Sequence, residues 1–235
     1  GVFDPDYTNS AGKDKIVSLA LPGGADEIVG GYYASNAFLG FTNLANASGA
    51  DIAAIGGYAF AGCTGLTTVS FPAAATIGEY AFVYSNSLET VSLPVAATIG
   101  GQAFSGCSGL TSVDLPAAVS IGAQAFMGCS GLILVDLPAA VTIDGRAFEN
   151  CTGLISVSLP AAVTIGFQAF IGCDGLTGIT LGAVPPVTVG ENLFQNTSSD
   201  ALTVHVPSGN MDAYTAWYST HSAKFSPKTL TFTEY

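Results

Sequence analysis

The stretch Ile99-Gly100-Gly101-Gln102-Ala103-Phe104-Ser105-Gly106-Cys107-Ser108-Gly109-Leu110-Thr111-Ser112-Val113-Asp114-Leu115-Pro116 is rewritten 22 residues later. There it reads Ile121-Gly122-Ala123-Gln124-Ala125-Phe126-Met127-Gly128-Cys129-Ser130-Gly131-Leu132-Ile133-Leu134-Val135-Asp136-Leu137-Pro138. The same frame extends both ways: Ala-Phe recurs at Ala37-Phe38, Ala59-Phe60, Ala81-Phe82, Ala103-Phe104, Ala125-Phe126, Ala147-Phe148 and Ala169-Phe170, always 22 residues apart. A constant period of roughly 20 to 50 residues signals stacked coils rather than a globule around one central core. In such a stack the repeated letters build the scaffold, and specificity resides where a coil departs from them.

Within a coil, Thr90-Val91-Ser92-Leu93 alternates polar and apolar residues, the mark of a short strand with one buried face. Pro94 ends it, because proline has no N–H to donate to a continuing ladder. Stacking places equivalent strands side by side and parallel, about 4.8 Å apart. Nine are expected, starting near Ile16, Leu44, Leu66, Leu88, Leu110, Leu132, Leu154, Leu176 and Leu202. The stack is then roughly 40 Å long. Ile77 to Phe82 crosses the opposite side, with Ile77 and Phe82 filling the interior and Gly78 and Ala81 kept small for close backbone approach. The fold class is a repeat β-solenoid of 22-residue coils with one parallel sheet. Residues 1–36 read as an N-terminal cap and first coil, 37–181 as regular repeats, and 182–235 as an irregular last coil and C-terminal cap. In that cap, Asn210 to Tyr218 reads as a short helix, with Ser208 or Asn210 as N-cap and Tyr214, Trp217 and Tyr218 covering the last coil.

These letters resemble the BspA-like leucine-rich repeat family of bacterial and protist surface proteins, whose coils look like IG-x-x-AF-x-x-C-x-x-L-x-x-V-x-LP. The match spans about residues 16 to 207. The tail through Val206-Pro207, Tyr214 and Trp217 looks like the closing segment of such proteins from host-associated bacteria. The resemblance implies a right-handed solenoid, exposed at the cell surface or secreted, with roles in adhesion or protein binding. It brings no catalytic motif, and it names no ligand. One departure stands out: Pro-Ala-Ala-Val-Thr-Ile recurs nearly verbatim from Pro116, Pro138 and Pro160, a uniformity that suits a spacer as well as a receptor.

Five Lys plus Arg against seventeen Asp plus Glu leave a net charge of −12. Nucleic acid and anionic membranes would be repelled by such a chain. It contains no apolar run of the roughly 18 residues that a membrane span requires, so no transmembrane segment is expected. It starts at Gly1 rather than Met, as a trimmed product would, with no signal or anchor segment in view.

Cys63, Cys107, Cys129, Cys151 and Cys173 each lie three residues after the Phe of their coil, and Ser85 fills the same slot in another. A column of thiols facing one way does not converge on a metal, and an odd number does not pair off. They are expected to be buried and reduced, with no metal or cofactor. The two histidines, His205 and His221, sit in the cap as exposed polar residues, away from any nucleophile.

Candidate ligand contacts lie on the outward strand positions. These are mostly Ser and Thr, but Ile133, Leu134 and Ile155 form an apolar patch beside Asp114 and Asp136. Three adjacent apolar residues on a polar sheet mark a contact surface. The two acids, in equivalent positions of adjacent coils, repel unless a cation bridges them. The function expected is non-enzymatic protein or glycan binding through this face, with a host or bacterial surface protein or glycan as partner. A structural spacer without a ligand is one alternative, and a glycan-active enzyme using Asp114 and Asp136 is another. No Lys or Arg accompanies those acids on the sheet face to hold a uronic acid.

Overall fold

The computed structural model of the chain describes residues 2–3, 16–21, 27–28, 37–197, 201–225 and 228–235. Most of segment 1–36, where the N-terminal cap is expected, lies outside these residues. The described coils form a parallel β-solenoid closed by one short α-helix. One side of each coil carries the alternating strand read from the sequence. Val91, Val135 and Val157 point inward and are buried, while their flanking residues point out. The strand pairs are all parallel, and Val69 meets Val91 just as Val135 meets Val157, a register offset of one whole coil.

The hydrogen-bonded ladder on this side is divided into two five-stranded sheets. One runs from Ser18–Ala20 through Asn46–Ser48, Thr68–Ser70 and Thr90–Ser92 to Ser112–Asp114. The other runs from Leu134–Asp136 through Ser156–Leu159, Gly178–Leu181 and Ala201–Val206 to Thr229–Glu234. The first nine of these strands are those expected, all stacked parallel as anticipated. The tenth, Thr229–Glu234, pairs in parallel with Ala201–Val206 and extends the sheet beyond the repeats.

A second, unbroken ladder of nine strands lines the opposite side, from Val2–Phe3 to Thr188–Val189. Each strand has only two residues, typically Thr-Ile, with the Ile buried and the polar residue outside. Two residues are too few to show a period, so this ladder is silent in the sequence. In most coils a glycine follows the ladder and is required by close approach, although Asp144 stands there after Ile143. A Cβ on Gly78 would lie 2.5 Å from the nitrogen of Gly57, and one on Gly122 would lie 2.6 Å from that of Gly101. Past these glycines the chain turns, and the turns also bond coil to coil: Phe82 N–H donates to Ala103 O at 2.7 Å and Phe104 N–H to Ala125 O at 2.8 Å.

The interior is a column of phenylalanines. Phe60, Phe82, Phe104, Phe126 and Phe148 stack face over face at 5.1 to 5.3 Å between neighbours, nearly parallel. The column begins at Phe38 and continues through Phe170 and Phe194 to Phe225, which arrives from the cap rather than from a repeat. Each ring is almost wholly removed from water. Burial of this aromatic area is the main favourable term, with ring–ring geometry adding about 0.5 to 1.5 kcal/mol per pair.

The C-terminal cap closes the last coil by supplying donors to its free carbonyls. The helix Met211–His221 starts after Asn210 and carries Asp212 in its first turn, as expected. The Asn210 side chain makes no capping bond; its amide turns back to Pro207 O at 3.0 Å, and Ser208 bonds Tyr235 O instead. From the helix, Tyr214 OH donates to Gly182 O at 2.9 Å and Trp217 Nε1 to Pro186 O at 2.9 Å. Beyond it, Lys224 Nζ reaches Val189 O at 2.7 Å and Lys228 Nζ reaches Thr197 O at 2.6 Å. Buried carbonyls left without donors would each cost of order 1 to 3 kcal/mol, so these four side chains finish what the repeat leaves open. The short 3-10 turn Ser222–Phe225 and the final strand were not read from the sequence.

Replacing Phe126 by Ala removes one ring from the middle of the column and should destabilise the protein by about 3 to 5 kcal/mol. Urea denaturation followed by circular dichroism checks this, and hydrogen exchange should show protection lost first in the coils on either side of Phe126.

Candidate functional site

One column of repeated residues carries polar chemistry inside the scaffold. All five cysteines are buried thiols, and each donates to the carbonyl of a phenylalanine in the preceding coil. Cys107 Sγ meets Phe82 O at 3.1 Å, Cys129 Sγ meets Phe104 O at 3.1 Å, and Cys151 Sγ meets Phe126 O at 3.1 Å. Ser85 Oγ does the same to Phe60 O at 2.9 Å, which explains why serine substitutes for cysteine in this slot. Desolvation pushes the Cys107 thiol up from 9.0 to about 12, and burial likewise raises Cys129 and Cys151. These thiols are therefore poor nucleophiles near neutral pH. Their role is to give a second donor to core carbonyls that already accept the N–H three residues on.

The histidines are half-buried rather than exposed, a correction to the sequence reading. His205 Nδ1 pairs with Thr233 Oγ1 at 2.8 Å across the last two strands, and its ring covers Gly178. His221 Nδ1 pairs with Trp217 O at 2.8 Å, its ring stacked on the indole. Both are occupied locally by cap residues, so each serves packing rather than a relay with a cysteine or serine nucleophile.

On the sheet face the expected candidates are exposed and adjacent. Ile133, Leu134 and Ile155 are 52, 56 and 50% accessible, and Asp114 and Asp136 also face solvent. The strand register places Leu134 opposite Ser156 and Asp136 opposite Ser158, with Ile133 and Ile155 one step earlier in neighbouring coils. The column holding Ile133 and Ile155 carries threonine at Thr67, Thr111 and Thr177. There the hydroxyl folds back onto the preceding coil, as Thr67 Oγ1 does to Ala45 O at 3.0 Å and Thr111 Oγ1 to Glu89 O at 3.1 Å. Isoleucine gives up that bond and offers a bare apolar surface.

The division of the sheet falls inside this patch, between Ser112–Asp114 and Leu134–Asp136. Val113 beside the gap is only partly buried, unlike the valines that flank it in the same column. Asp114 turns away from the gap: its Oδ2 accepts from Ser92 Oγ at 2.8 Å, on the coil before it. The two acids are therefore not joined through a shared hydrogen bond. Among the described residues no group of three His, Cys, Asp or Glu side chains is placed to hold a metal ion. A small apolar cavity beneath the cap, lined by residues such as Leu193, Phe194, Trp217 and Phe225, carries no polar group to orient a substrate. No helix among the described residues is long and apolar enough to cross a membrane.

Comparison with known proteins agrees with this architecture. The family model described as a BspA type leucine rich repeat region, present in six copies, matches residues 33–152 and 75–201. The chain belongs to that family. A solved leucine-rich repeat protein of T. pallidum (TpLRR) is 23% identical and shares the fold with a TM-score of 0.53, over 86% of this chain and 83% of its own. A leucine rich cell surface protein from Faecalibacterium prausnitzii A2-165 is 17% identical, with 92% of this chain and 88% of that one covered and a TM-score of 0.40. The pneumococcal vaccine antigen PcpA is 14% identical, with 97% and 91% covered and a TM-score of 0.40. A search of curated proteins returned no match.

The raised thiols give a pH signature. The unfolded chain ionises its cysteines near the ordinary value of 9.0, whereas folded Cys107 resists until about 12. The stabilisation is full below that ordinary value and declines as pH rises from it toward the folded one. Denaturant midpoints should therefore fall between about pH 9 and 12, and less steeply in Cys107→Ser. Thiol reagents should label the native protein slowly and reach all five cysteines in denaturant without reductant.

Proposed function

We propose that this protein is a non-enzymatic, cell-surface or secreted repeat protein that binds a protein or glycan partner through its sheet face. The observation that carries the reading is the exposed patch of Ile133, Leu134 and Ile155, with Asp114 and Asp136 at its rim. Inward letters scarcely vary from coil to coil, while these outward ones differ from the hydroxyl residues around them. The scaffold does not need them. A partner that covers the isoleucines and leucine removes apolar surface from water, at about 25 cal/mol per Å². The carboxylates at the rim meet basic groups or hydroxyls and set the orientation.

Membership of a family of leucine-rich repeat proteins supports the non-enzymatic part of the proposal, as does the placement of the acids on an open surface. The surface location rests on the family and on a related chain whose own description is a leucine rich cell surface protein.

Pull-down against surface proteins and a glycan-array screen with the intact chain provide the ligand. The double variant Ile133→Thr, Leu134→Ser then installs residue types found at equivalent positions of other coils. It should retain the thermal transition of the parent while losing most of the affinity, about tenfold or more. Equal binding by the folded variant moves the site off this face.

A further inference from the structure

Three tyrosines occupy left-handed backbone positions in the turns of the coils. Among the described residues, the turn of each coil from Tyr58 onward contains two left-handed residues. The second position is held by Gly40, Gly62, Gly106, Gly128 and Gly172 in five coils and Asn150 and Asn196 in two more, but by Tyr84 in one, at φ 58°. The first is occupied by Gln102, Gln124, Gln168, Arg146 and Asn192, but by Tyr58 and Tyr80 in the two coils next to one another, at φ 58° and 60°. A bulky side chain in this region is strained, and glycine or asparagine is the relaxed choice. Every occupant of the first column bears this backbone, so it is Tyr84 alone that departs from a column otherwise held by glycine and asparagine, and strain kept there points to a use outside the fold.

The geometry says what that use requires. The Tyr84 ring packs against the next coil, so close to Gly106 that a Cβ there would fall 2.5 Å from its Cδ1. The side chain is nevertheless 61% exposed, which leaves its outer face open. Asn86, oriented with its Nδ2 toward the carbonyls of Gly106 and Tyr84, pins the loop beneath. Nearby in the same turn, the Tyr80 ring stacks on Tyr58 at 4.6 Å, and its hydroxyl accepts from Gln102 Nε2 at 2.9 Å. The result is a rigid aromatic edge, held in place before any ligand arrives.

We propose that this tyrosine edge binds arginine or lysine side chains of a basic protein segment, stacked on the open face of Tyr84. An aromatic face is the negative end of a ring quadrupole and attracts cations. The chain adds a net charge of −12, and exposed Glu79 precedes Tyr80 in the turn. Of the three basic residues among the described ones, none competes for the ring. Arg146 is held by Gln168 and Phe167, while Lys224 and Lys228 donate to carbonyls of the last coil. Both the local quadrupole and the overall field therefore reward a cationic partner, whereas a neutral glycan would gain from the rings alone. The site is separate from the sheet-face patch and stands or falls without it.

A fluorescent hexa-arginine peptide, titrated at low ionic strength and followed by polarisation, tests the proposal with charge-neutral substitutions. Tyr84→Gly should weaken binding about tenfold, and Tyr80→Gln several-fold, because general attraction to an acidic protein is unchanged in both. The melting temperature of Tyr84→Gly and of Tyr84→Asn should equal or exceed that of the parent, since both relax the backbone. Three results would overturn the proposal: unchanged peptide affinity in Tyr84→Gly, a lowered melting temperature in both Tyr84 variants, or Tyr84-dependent capture of neutral oligosaccharides by a protein indifferent to the peptide.

Discussion

The stacking of one phenylalanine per coil is the interaction on which the rest of this structure depends. A coil by itself has no core, since its inward side chains have nothing to close over. The ring of the next coil supplies the missing surface, and the nearly constant spacing of the rings keeps both ladders in register. The buried thiols follow from the same geometry. The turn that brings each Phe inward leaves its carbonyl in the core, bonded to the N–H three residues on, and the Cys or Ser three positions past the next Phe adds a second donor. Ring, carbonyl and thiol form a single repeating unit of packing and hydrogen bonding.

What could be read in the chain follows from where periodicity is strong. Val91, Val113 and Val135 announce the sheet because strands of three or four residues show alternation, and the Ala-Phe dipeptides announce the core because they recur without exception across the regular coils. The Thr-Ile ladder escaped because a two-residue strand has no period. Phe225 and Thr229–Glu234 escaped for a different reason: they continue the ring column and the sheet from a segment with no repeat of its own. A demand that the column end on something would have pointed to an aromatic residue near the C-terminus.

The candidate face was legible in part. Ile133, Leu134 and Ile155 stand out by their departure from hydroxyl neighbours, and burial places them outside. The gap between Ser112–Asp114 and Leu134–Asp136 was not visible, since the letters of both strands fit the repeat equally well. Nor was the left-handed backbone at Tyr58, Tyr80 and Tyr84. Glutamine, arginine and tyrosine alternate along one of those columns with no glycine to signal its conformation.

The donors in the cap divide the molecule into exchangeable and fixed parts. Tyr214, Trp217, Lys224 and Lys228 answer carbonyls of the final coil only, whereas each interior coil meets neighbours nearly identical to itself. An in-frame duplication or loss of one coil's codons would therefore lengthen or shorten the column without creating a new kind of contact. Coil number is thus free to vary in such a chain, while the cap has partners in the final coil alone. Recombination between coils can move an outward residue along the stack and leave its inward partners undisturbed.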